Sequence, residues 1–439
     1  MLQSLITTGV NLADAMMLTA CGETQLSASS LANQYISLYQ IMCMGLGAGA
    51  SVLTSRFWGS GEIENIRAVT TLMIRICVVF ALGFNAVTAL FPAQIMRIYT
   101  PDELLIAEGS RYLTICAYTF LFNGLAQTIT LIMRSVHQVR LPLYTAVVAL
   151  FANIFLNWVL IFGKLGFPAL GIVGAAIATL TARVLEFAII VGYFLLFDKR
   201  IGYRIGDLLR PCREYLRDYI YYCVPVLVSD TLLGLGNNMV SVIKGHIGDS
   251  FVAAFAIISQ ITRMTTVFAQ GVSNAACVIT GNTLGEGKPE KTYRQGVTFL
   301  ALAVCIGVAA GVIILSLGPA IIAASRLKDE TASIAMQLIW AESITVIFNS
   351  TQGTLTKGVL RGAGDTRFLM VADILFLWLL SVPLGYLTGL VWSCPAFVVY
   401  FALRADWIVK STWCAARLFR GKWAHSAGKA ESSARSKAQ

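Results

Sequence analysis

Ionisable and amide side chains interrupt several long apolar stretches of this chain. Asp14 is the clearest case, because its near neighbours in sequence offer no cation. Polar groups on Thr7, Thr8 and Asn11 lie around the same part of the segment. A carboxylate in an apolar environment favours its neutral form and can exchange a proton near physiological pH. Proton exchange is therefore predicted for Asp14, with a structural, hydrogen-bonded carboxylate as the alternative.

Other polar residues occupy comparable positions. Each is costly at bilayer depth and is a candidate functional residue unless a neighbour neutralises it. Arg183 and Glu186 are three residues apart on one helix face and are expected to form a structural ion pair. Arg75 and Arg263 are expected to reach an interface or to pair between helices. The remaining candidates are Asn153, Asn157, Asp230, Glu342 and Asp373.

Signatures of catalysis and metal binding are missing from the sequence. The ten cysteines are scattered without a Cys-x-x-Cys pair, and the three histidines stand far apart. Packing roles are therefore predicted for the cysteines, and neither a zinc site nor a Cys/His nucleophile is expected. The glycines at 59–61 and 285–287 are interpreted as tight turns between helices. We expect no catalytic residue, no bound metal and no cofactor beyond a coupling ion.

The apolar segments that carry these residues predict membrane helices. Hydrophobic residues make up 57% of the chain and charged residues 13%, with a mean hydropathy of +0.72, too little charge to cover a soluble protein. Since about 20 apolar residues cross the hydrocarbon core, about twelve helices are expected, whereas alternating membrane strands do not fit. The predicted helices cover 1–20, 28–55, 68–91, 109–133, 141–162, 170–197, 219–243, 251–281, 295–317, 332–356, 368–391 and 395–409.

A sequence pattern recurs halfway along the chain. The glycine-containing turns at 22–23 and 59–62 reappear at 248–249 and 285–288, displaced by 226 residues (248 minus 22). Gln34 and Gln260 are equivalent under this displacement and are further site candidates. The pattern predicts a duplicated six-helix unit. Because six is even, the two lobes are expected to be related by a pseudo-two-fold axis along the membrane normal.

Four parts are predicted within this all-α integral membrane fold. They are an amino-terminal six-helix lobe (1–197), a basic cytoplasmic linker (198–218), a carboxy-terminal six-helix lobe (219–418) and a basic, disordered tail (419–439). Pro225 has no counterpart in the first copy, since 225 minus 226 falls before residue 1. The first helix is therefore expected to lack about two turns.

Basic residues in the predicted loops indicate the orientation. With the amino terminus in the cytoplasm, most loop arginines and lysines lie on the cytoplasmic side, so both termini are predicted to be cytoplasmic. The formal net charge of +10 is then explained by topology and by contact with membrane lipids. Nucleic-acid binding is not expected, because the basic clusters form no separate domain.

Several motifs resemble the multidrug and toxic compound extrusion (MATE) family. Asn-Ile-Phe-Leu-Asn at 153–157 and the stretch 171–179 look like the family's fifth and sixth helices. Leu-Arg-Gly-Ala-Gly-Asp-Thr at 360–366 resembles the turn after its tenth helix, and Gly-Lys-Trp at 421–423 is similar to an end signature of bacterial members. The resemblance implies a bacterial inner-membrane protein that exports organic cations or other amphipathic compounds against protons or sodium ions.

The resemblance also implies a cation site in the amino-terminal lobe. It would comprise Asp14, Asn153, Asn157 and Thr179. Several members have a second carboxylate where Asn157 stands, and losing that charge disfavours sodium, a hard cation that prefers anionic oxygens. Members with a sodium site in the other lobe have an acid in the tenth helix, where 349–352 reads Asn-Ser-Thr-Gln here. Protons are therefore the expected coupling ion.

Two other functions remain as alternatives. A lipid-linked saccharide flippase of related fold would need a strongly cationic central cavity, and few arginines lie in the apolar segments. A membrane-embedded transferase would need a compact His/Asp or Ser/His group, which the sequence lacks. We expect a monomeric antiporter that is not an enzyme, with small amphipathic or cationic substrates and membrane lipids as partners.

The orientation can be tested at Ser432 in the basic tail. On a cysteine-free background, Ser432→Cys should not react with a membrane-impermeant thiol probe in intact cells, because the tail is predicted to be cytoplasmic. It should react after the membrane is permeabilised. Labelling in intact cells would reverse the predicted orientation.

Overall fold

The structure, a computed structural model, describes Gly9, Met17, residues 23–324, residues 328–421 and Trp423. Regular structure in these residues is helical throughout, with no strand, which confirms the all-α class. Nine helices in the described ranges are long and apolar enough to cross a membrane, or ten if one bent pair counts as a single span. The first predicted helix, 1–20, lies outside the described residues apart from Gly9 and Met17.

The helices fall into two compact units. Within the described ranges, one unit comprises residues 23–54 and 62–223, and the other comprises residues 55–61 and 224–421. The helices up to the linker are α1 (Glu23–Ser60), α2 (Ile63–Leu90), α3 (Pro92–Tyr99), α4 (Glu103–Ala117), α5 (Thr119–Ser135), α6 (Arg140–Phe162) and α7 (Gly171–Leu196). A short 3-10 helix, Ile205–Leu209, follows in the linker.

The second half of the chain repeats this order. Its helices are α8 (Arg213–Ile247), α9 (Asp249–Gly285), α10 (Pro289–Ala324), α11 (Asp329–Gly353), α12 (Thr366–Ile374), α13 (Val382–Tyr386), α14 (Ala396–Leu403) and α15 (Ala405–Phe419). Three π-helical segments, Thr354–Leu360, Leu375–Ser381 and Leu387–Val391, continue or join these helices. The first residues of α9, α10, α11 and α12 each follow those of α1, α2, α4 and α6 by 226 residues (249 minus 23).

One predicted helix, 109–133, is a bent pair in the structure. The axes of α4 and α5 meet at 53°, with Tyr118 at the break. Side chains donate hydrogen bonds to backbone carbonyl groups around the break. Asn85 donates to the Ala117 oxygen at 2.9 Å, and Tyr39 donates to the Phe120 oxygen at 2.6 Å. Side-chain donors of this kind weaken the helical ladder and produce a kink, and hydropathy carries no signal for them.

Several helices extend beyond the predicted apolar runs, as two examples show. Helix α8 begins at Arg213, six residues before the predicted start (219 minus 213), and α15 continues to Phe419. Hydropathy marks the part of a helix that meets hydrocarbon, whereas the helix itself continues into the polar layer. Trp423 is buried and its indole nitrogen donates to the Leu418 oxygen at 2.9 Å. Trp423, which lies within the predicted tail (419–439), is therefore packed against the protein.

The linker is attached to the amino-terminal unit by specific bonds. Arg67 donates to the Ile201 carbonyl at 2.8 Å, and Asp198 accepts from the Ile201 amide at 3.2 Å. The hydroxyls of Tyr203 and Thr71 are 2.8 Å apart. Burial raises the pKa of the Tyr203 phenol above its usual value, so this hydroxyl keeps its proton for the bond. The basic linker is thus a structured segment.

Two repeat-equivalent glycines allow the last turns of α1 and α9 to pack closely. A methyl group at Gly59 would collide with the Asn282 carbonyl oxygen, and one at Gly285 would collide with the Arg56 carbonyl oxygen. The same displacement relates both pairs (285 minus 59, and 282 minus 56). The contact is therefore reciprocal, and its small residues bring the two backbones together.

Replacing Gly285 by alanine tests this contact. Gly285→Ala should destabilise the protein by about 1–3 kcal/mol, because overpacking forces the two backbones apart. The melting temperature of the detergent-purified protein should fall accordingly. Gly245→Ala is the matched control, since its new methyl would meet nothing within 4 Å. Equal melting temperatures for the two variants would show that the contact is not tight.

Candidate functional site

Two asparagines form a buried amide pair in the amino-terminal unit. Asn153 and Asn157 are 2% and 0% exposed on α6, and the Asn157 amide nitrogen donates to the Asn153 oxygen at 3.2 Å. Their spacing of four residues places both on one helix face. The neighbouring α7 approaches closely, because a methyl group at Gly174 would lie 2.6 Å from the Leu160 oxygen.

The structure describes one of the two residues predicted to join this pair. Thr179 lies half-buried on α7, and Asp14 lies outside the described residues. The two amides carry hydrogen-bond donors and acceptors but no charge. They can therefore orient an ion or a carboxyl group but cannot neutralise a cation.

Glu342 is the most enclosed of the predicted carboxylates that the structure describes. Its side chain on α11 is 0% exposed. Thr262 of α9 donates to one carboxyl oxygen at 2.7 Å, while Thr345 and Tyr400 donate to the other at 3.0 and 2.5 Å. In the described part of the chain, no cation forms a salt bridge with it. A carboxyl group ringed by hydroxyls can hold a proton or a small cation.

Nearby cations of the same unit are engaged with aromatic rings. The Lys244 ammonium lies 3.5 Å from the centre of the Phe255 ring. The Arg404 guanidinium lies 4.2 Å from the Trp407 ring and 5.8 Å from the Phe255 ring. Cation–π contacts of this kind hold a cation without a counter-anion.

Asp230 and Asp373, by contrast, are neutralised by buried cations. Arg361 makes two parallel bonds to Asp230, at 2.8 and 3.2 Å. The Lys410 ammonium donates to Asp373 at 2.7 Å, and Ser229 donates to the other oxygen of Asp373. Bidentate and charge-assisted bonds of this kind are strong. These two carboxylates therefore have structural partners.

The cations of these two ion pairs and one further acid are not among the site residues predicted from the sequence. Arg361 lies between the predicted helices 332–356 and 368–391, and neither Lys410 nor Asp406 is among the predicted site residues. Asp406 accepts a bond from Ser381 at 3.0 Å and lies 4.0 Å from the Lys410 ammonium. The four-residue spacing of Asp406 and Lys410 was an available signal.

Two π-helical segments adjoin this charge network. Arg361 directly follows the segment Thr354–Leu360, and Asp373 lies just before the segment Leu375–Ser381, which ends at the serine that bonds Asp406. Segments of π-helix displace side chains relative to a regular helix and are frequent at functional sites. They set the positions from which Arg361 and Ser381 reach their partners.

The remaining candidates lie elsewhere. Gln34 and Gln260 are exposed, as is Arg263. The predicted pair of Arg183 and Glu186 is confirmed, at 2.7 Å. Arg75 reaches the linker, where it donates to the Leu208 carbonyl at 3.1 Å. Across the described ranges, no group of three or more His, Cys, Asp and Glu side chains could hold a metal ion.

The buried pair of Lys410 and Asp373 gives a stability prediction. Lys410→Met should destabilise the protein by about 3–5 kcal/mol, because Asp373 would remain buried without its cation. The double variant Lys410→Met/Asp373→Leu should recover much of the loss. Thermal unfolding in detergent measures both effects.

An exposed ion pair serves as the control for this prediction. Arg97 and Glu103 are 3.4 Å apart and largely exposed, so Arg97→Met should change stability by less than about 1 kcal/mol. Equal effects of Lys410→Met and Arg97→Met, or a double variant less stable than Lys410→Met alone, would contradict the analysis.

Comparison with known proteins identifies relatives across the whole chain. The uncharacterised transporter YisQ of Bacillus subtilis is 22% identical over 94% of this chain and 89% of its own length. The probable multidrug resistance protein NorM of Agrobacterium fabrum is 25% identical over 91% of this chain and 85% of its own. These relatives are named as transporters or resistance proteins, not as enzymes.

Solved structures share the fold. A MOP superfamily transporter from Pyrococcus furiosus superposes with a TM-score of 0.85, at 18% identity over 96% of this chain and 94% of that one. The MATE transporter VcmN of Vibrio cholerae gives 0.86, at 17% identity over 95% and 93%. The MatE family model matches residues 1–159 and 225–387. With more than half of its length matched and its fold shared, this multi-pass membrane protein belongs to the MatE family of transporters.

Proposed function

We propose that this protein is a secondary antiporter that exports organic cations or other amphipathic compounds in exchange for protons. Relatives named as multidrug resistance proteins support the class of transported compound. The buried pair of Asn153 and Asn157 supports the choice of ion. The pair is uncharged, so in the proposed site the negative charge would come from Asp14. One carboxylate suits a proton better than sodium, which prefers several anionic oxygens.

Protonation of Asp14 would act as the switch. An ionised Asp14 can accept hydrogen bonds from the amide groups or attract a cationic substrate. A neutral Asp14 loses that attraction, so proton uptake and substrate release are linked. The linkage is reciprocal, since a bound cation must weaken proton binding by the same factor.

The carboxylates of the carboxy-terminal unit differ in how well they suit proton coupling. Asp230 and Asp373 already have Arg361 and Lys410 as partners, and taking up a proton would leave a buried cation without its anion. Among the described residues, Glu342 has hydroxyl partners and no salt bridge, so a proton on its carboxyl group would leave no buried cation without its anion. Glu342 is therefore the second candidate for coupling.

The alternatives are less well supported. A flippase for diphosphate-linked saccharides needs cations that can pair with the substrate, yet Arg361 and Lys410 are engaged by carboxylates. A transferase finds no support among relatives named as transporters. We further propose that the protein works as a monomer in a bacterial inner membrane. The charge pattern of its loops supports an orientation with both termini in the cytoplasm.

Replacing Asp14 tests the proposal in proteoliposomes. Asp14→Asn should abolish ethidium efflux driven by a proton gradient, because an amide mimics the protonated shape but cannot release a proton. The variant should still insert and should melt near the wild-type temperature. In wild-type protein, a sodium gradient should drive little efflux.

The control exchanges an acid for its amide on the surface. Glu103 is largely exposed, so Glu103→Gln should transport like wild type. Wild-type efflux from Asp14→Asn under a proton gradient would remove Asp14 from the mechanism and transfer the role to Glu342. Efflux driven by sodium alone would overturn the choice of ion.

A further inference from the structure

A groove of about 590 Å³ lies on the amino-terminal unit. One of its described lining residues is Tyr35 of α1, and the others belong to α2. They include Arg75, Val79, Phe80, Gly83 and Val87. Spacings of three and four residues place them on one face of α2. Apart from Tyr35, the described lining residues therefore form a stripe along α2, with one basic residue at its end.

This face of α2 meets the membrane. The helix is apolar enough to span a bilayer, and only 28% of its most apolar window is buried. Val79 is 73% exposed and Val87 49% exposed. Exposed apolar side chains on a spanning helix contact lipid tails, so the natural occupant of the groove is a hydrocarbon chain.

The length of the groove matches one leaflet. Arg75 and Val87 are twelve residues apart (87 minus 75), which is about 18 Å along a helix. Half of the hydrocarbon core is about 15 Å thick. A single acyl chain that starts near Arg75 can therefore follow the groove to its end.

The basic end lies at the level of the linker. Arg75 donates to the carbonyl oxygens of Leu208 and Arg210, the latter at 2.9 Å. Leu208 belongs to the 3-10 helix Ile205–Leu209, in which the Ile205 and Leu209 side chains are exposed. Apolar side chains presented beside arginines are typical of a segment that lies in the membrane interface. Arg75 is therefore at headgroup depth.

The Arg75 guanidinium has a charge and hydrogen-bond donors that a ligand could use. Its bonds to the linker use Nε and Nη2, and within the described ranges no protein atom is bonded to Nη1. The acids nearby have other partners, since Asp207 pairs with Arg210 at 2.9 Å and Glu64 pairs with Arg67 at 2.9 Å and with Arg210. A guanidinium with free donors suits a phosphate oxygen.

We propose that this groove binds an anionic phospholipid of the cytoplasmic leaflet, with the phosphate at Arg75 and an acyl chain along α2. The cytoplasmic leaflet is rich in anionic lipids, which attract basic residues near the membrane surface. An organic cation would be repelled by Arg75. The bound headgroup would also hold the linker helix against α2, because Arg75 contacts both.

Two variants distinguish the contribution of the acyl chain to lipid binding from that of the headgroup. Gly83→Leu should fill the groove, and its Cβ atom would meet nothing within 4 Å. Arg75→Gln removes the charge and leaves the groove open. The control is Gly192→Leu on α7, where a Cβ atom likewise meets nothing within 4 Å. Native mass spectrometry of the purified chain, titrated with phosphatidylglycerol or phosphatidylethanolamine of identical chains, measures binding.

Each variant has a distinct expected result. Wild type and Gly192→Leu should bind phosphatidylglycerol more tightly than phosphatidylethanolamine. Gly83→Leu should weaken binding of both lipids about tenfold, through lost methylene contacts. Arg75→Gln should reduce the preference for phosphatidylglycerol about fivefold, and Arg75→Lys should retain it. Glycerol phosphate, which has a headgroup but no chain, should not displace the lipid.

Other outcomes would overturn the proposal. Equal lipid binding by wild type and Gly83→Leu would show that the groove holds no chain. Equal affinity of wild type for both lipids would remove the headgroup role of Arg75. Displacement by glycerol phosphate would identify a plain phosphate site, and displacement by ethidium would identify a substrate site. The test is independent of transport, so failure of the proton-coupling scheme would not affect it.

Discussion

The absence of water inside a membrane governs this structure, because a polar group that leaves water must find its partner within the protein. Backbone groups of the described residues meet this requirement through helices. Side chains meet it in pairs that join different helices, such as Lys410 of α15 with Asp373 of α12 and Arg361 with Asp230 of α8. Removing one partner of such a pair lowers the stability of the fold, because the other charge stays buried. These bonds therefore specify which helices pack together.

Departures from regular helix follow from the same requirement. At the bend between α4 and α5, side chains from α1 and α2 bond carbonyl oxygens that a straight helix would use itself. In the carboxy-terminal half, π-helical segments adjoin Arg361 and Asp373. Irregular backbone therefore occurs where other side chains can satisfy it, and it brings charged groups to positions that regular helices would not offer.

Charged and polar residues of the membrane helices divide by their partners. Asp230 and Asp373 have cations and serve the packing of helices, whereas Glu342 is bonded by hydroxyl groups and, in the part of the chain that the structure describes, forms no salt bridge. The Asn153–Asn157 pair has no charge at all. Groups whose charge is not already balanced can respond to an arriving ion, and this difference separates candidates for coupling from structural residues. Arg75 is a third type, because it joins a lipid-facing helix to the linker.

Composition and hydropathy were enough to predict the membrane class and the approximate positions of the helices, and the pattern repeated 226 residues later predicted the duplication. The sequence also predicted the Arg183–Glu186 pair, since both residues lie on one helix face. The bonds between Asp373 and Lys410, 37 residues apart, and between Asp230 and Arg361, 131 residues apart, become visible only when the helices are packed together. Their geometry depends on how separate helices approach and on π-helical segments that shift the register, and neither leaves a local pattern in the sequence.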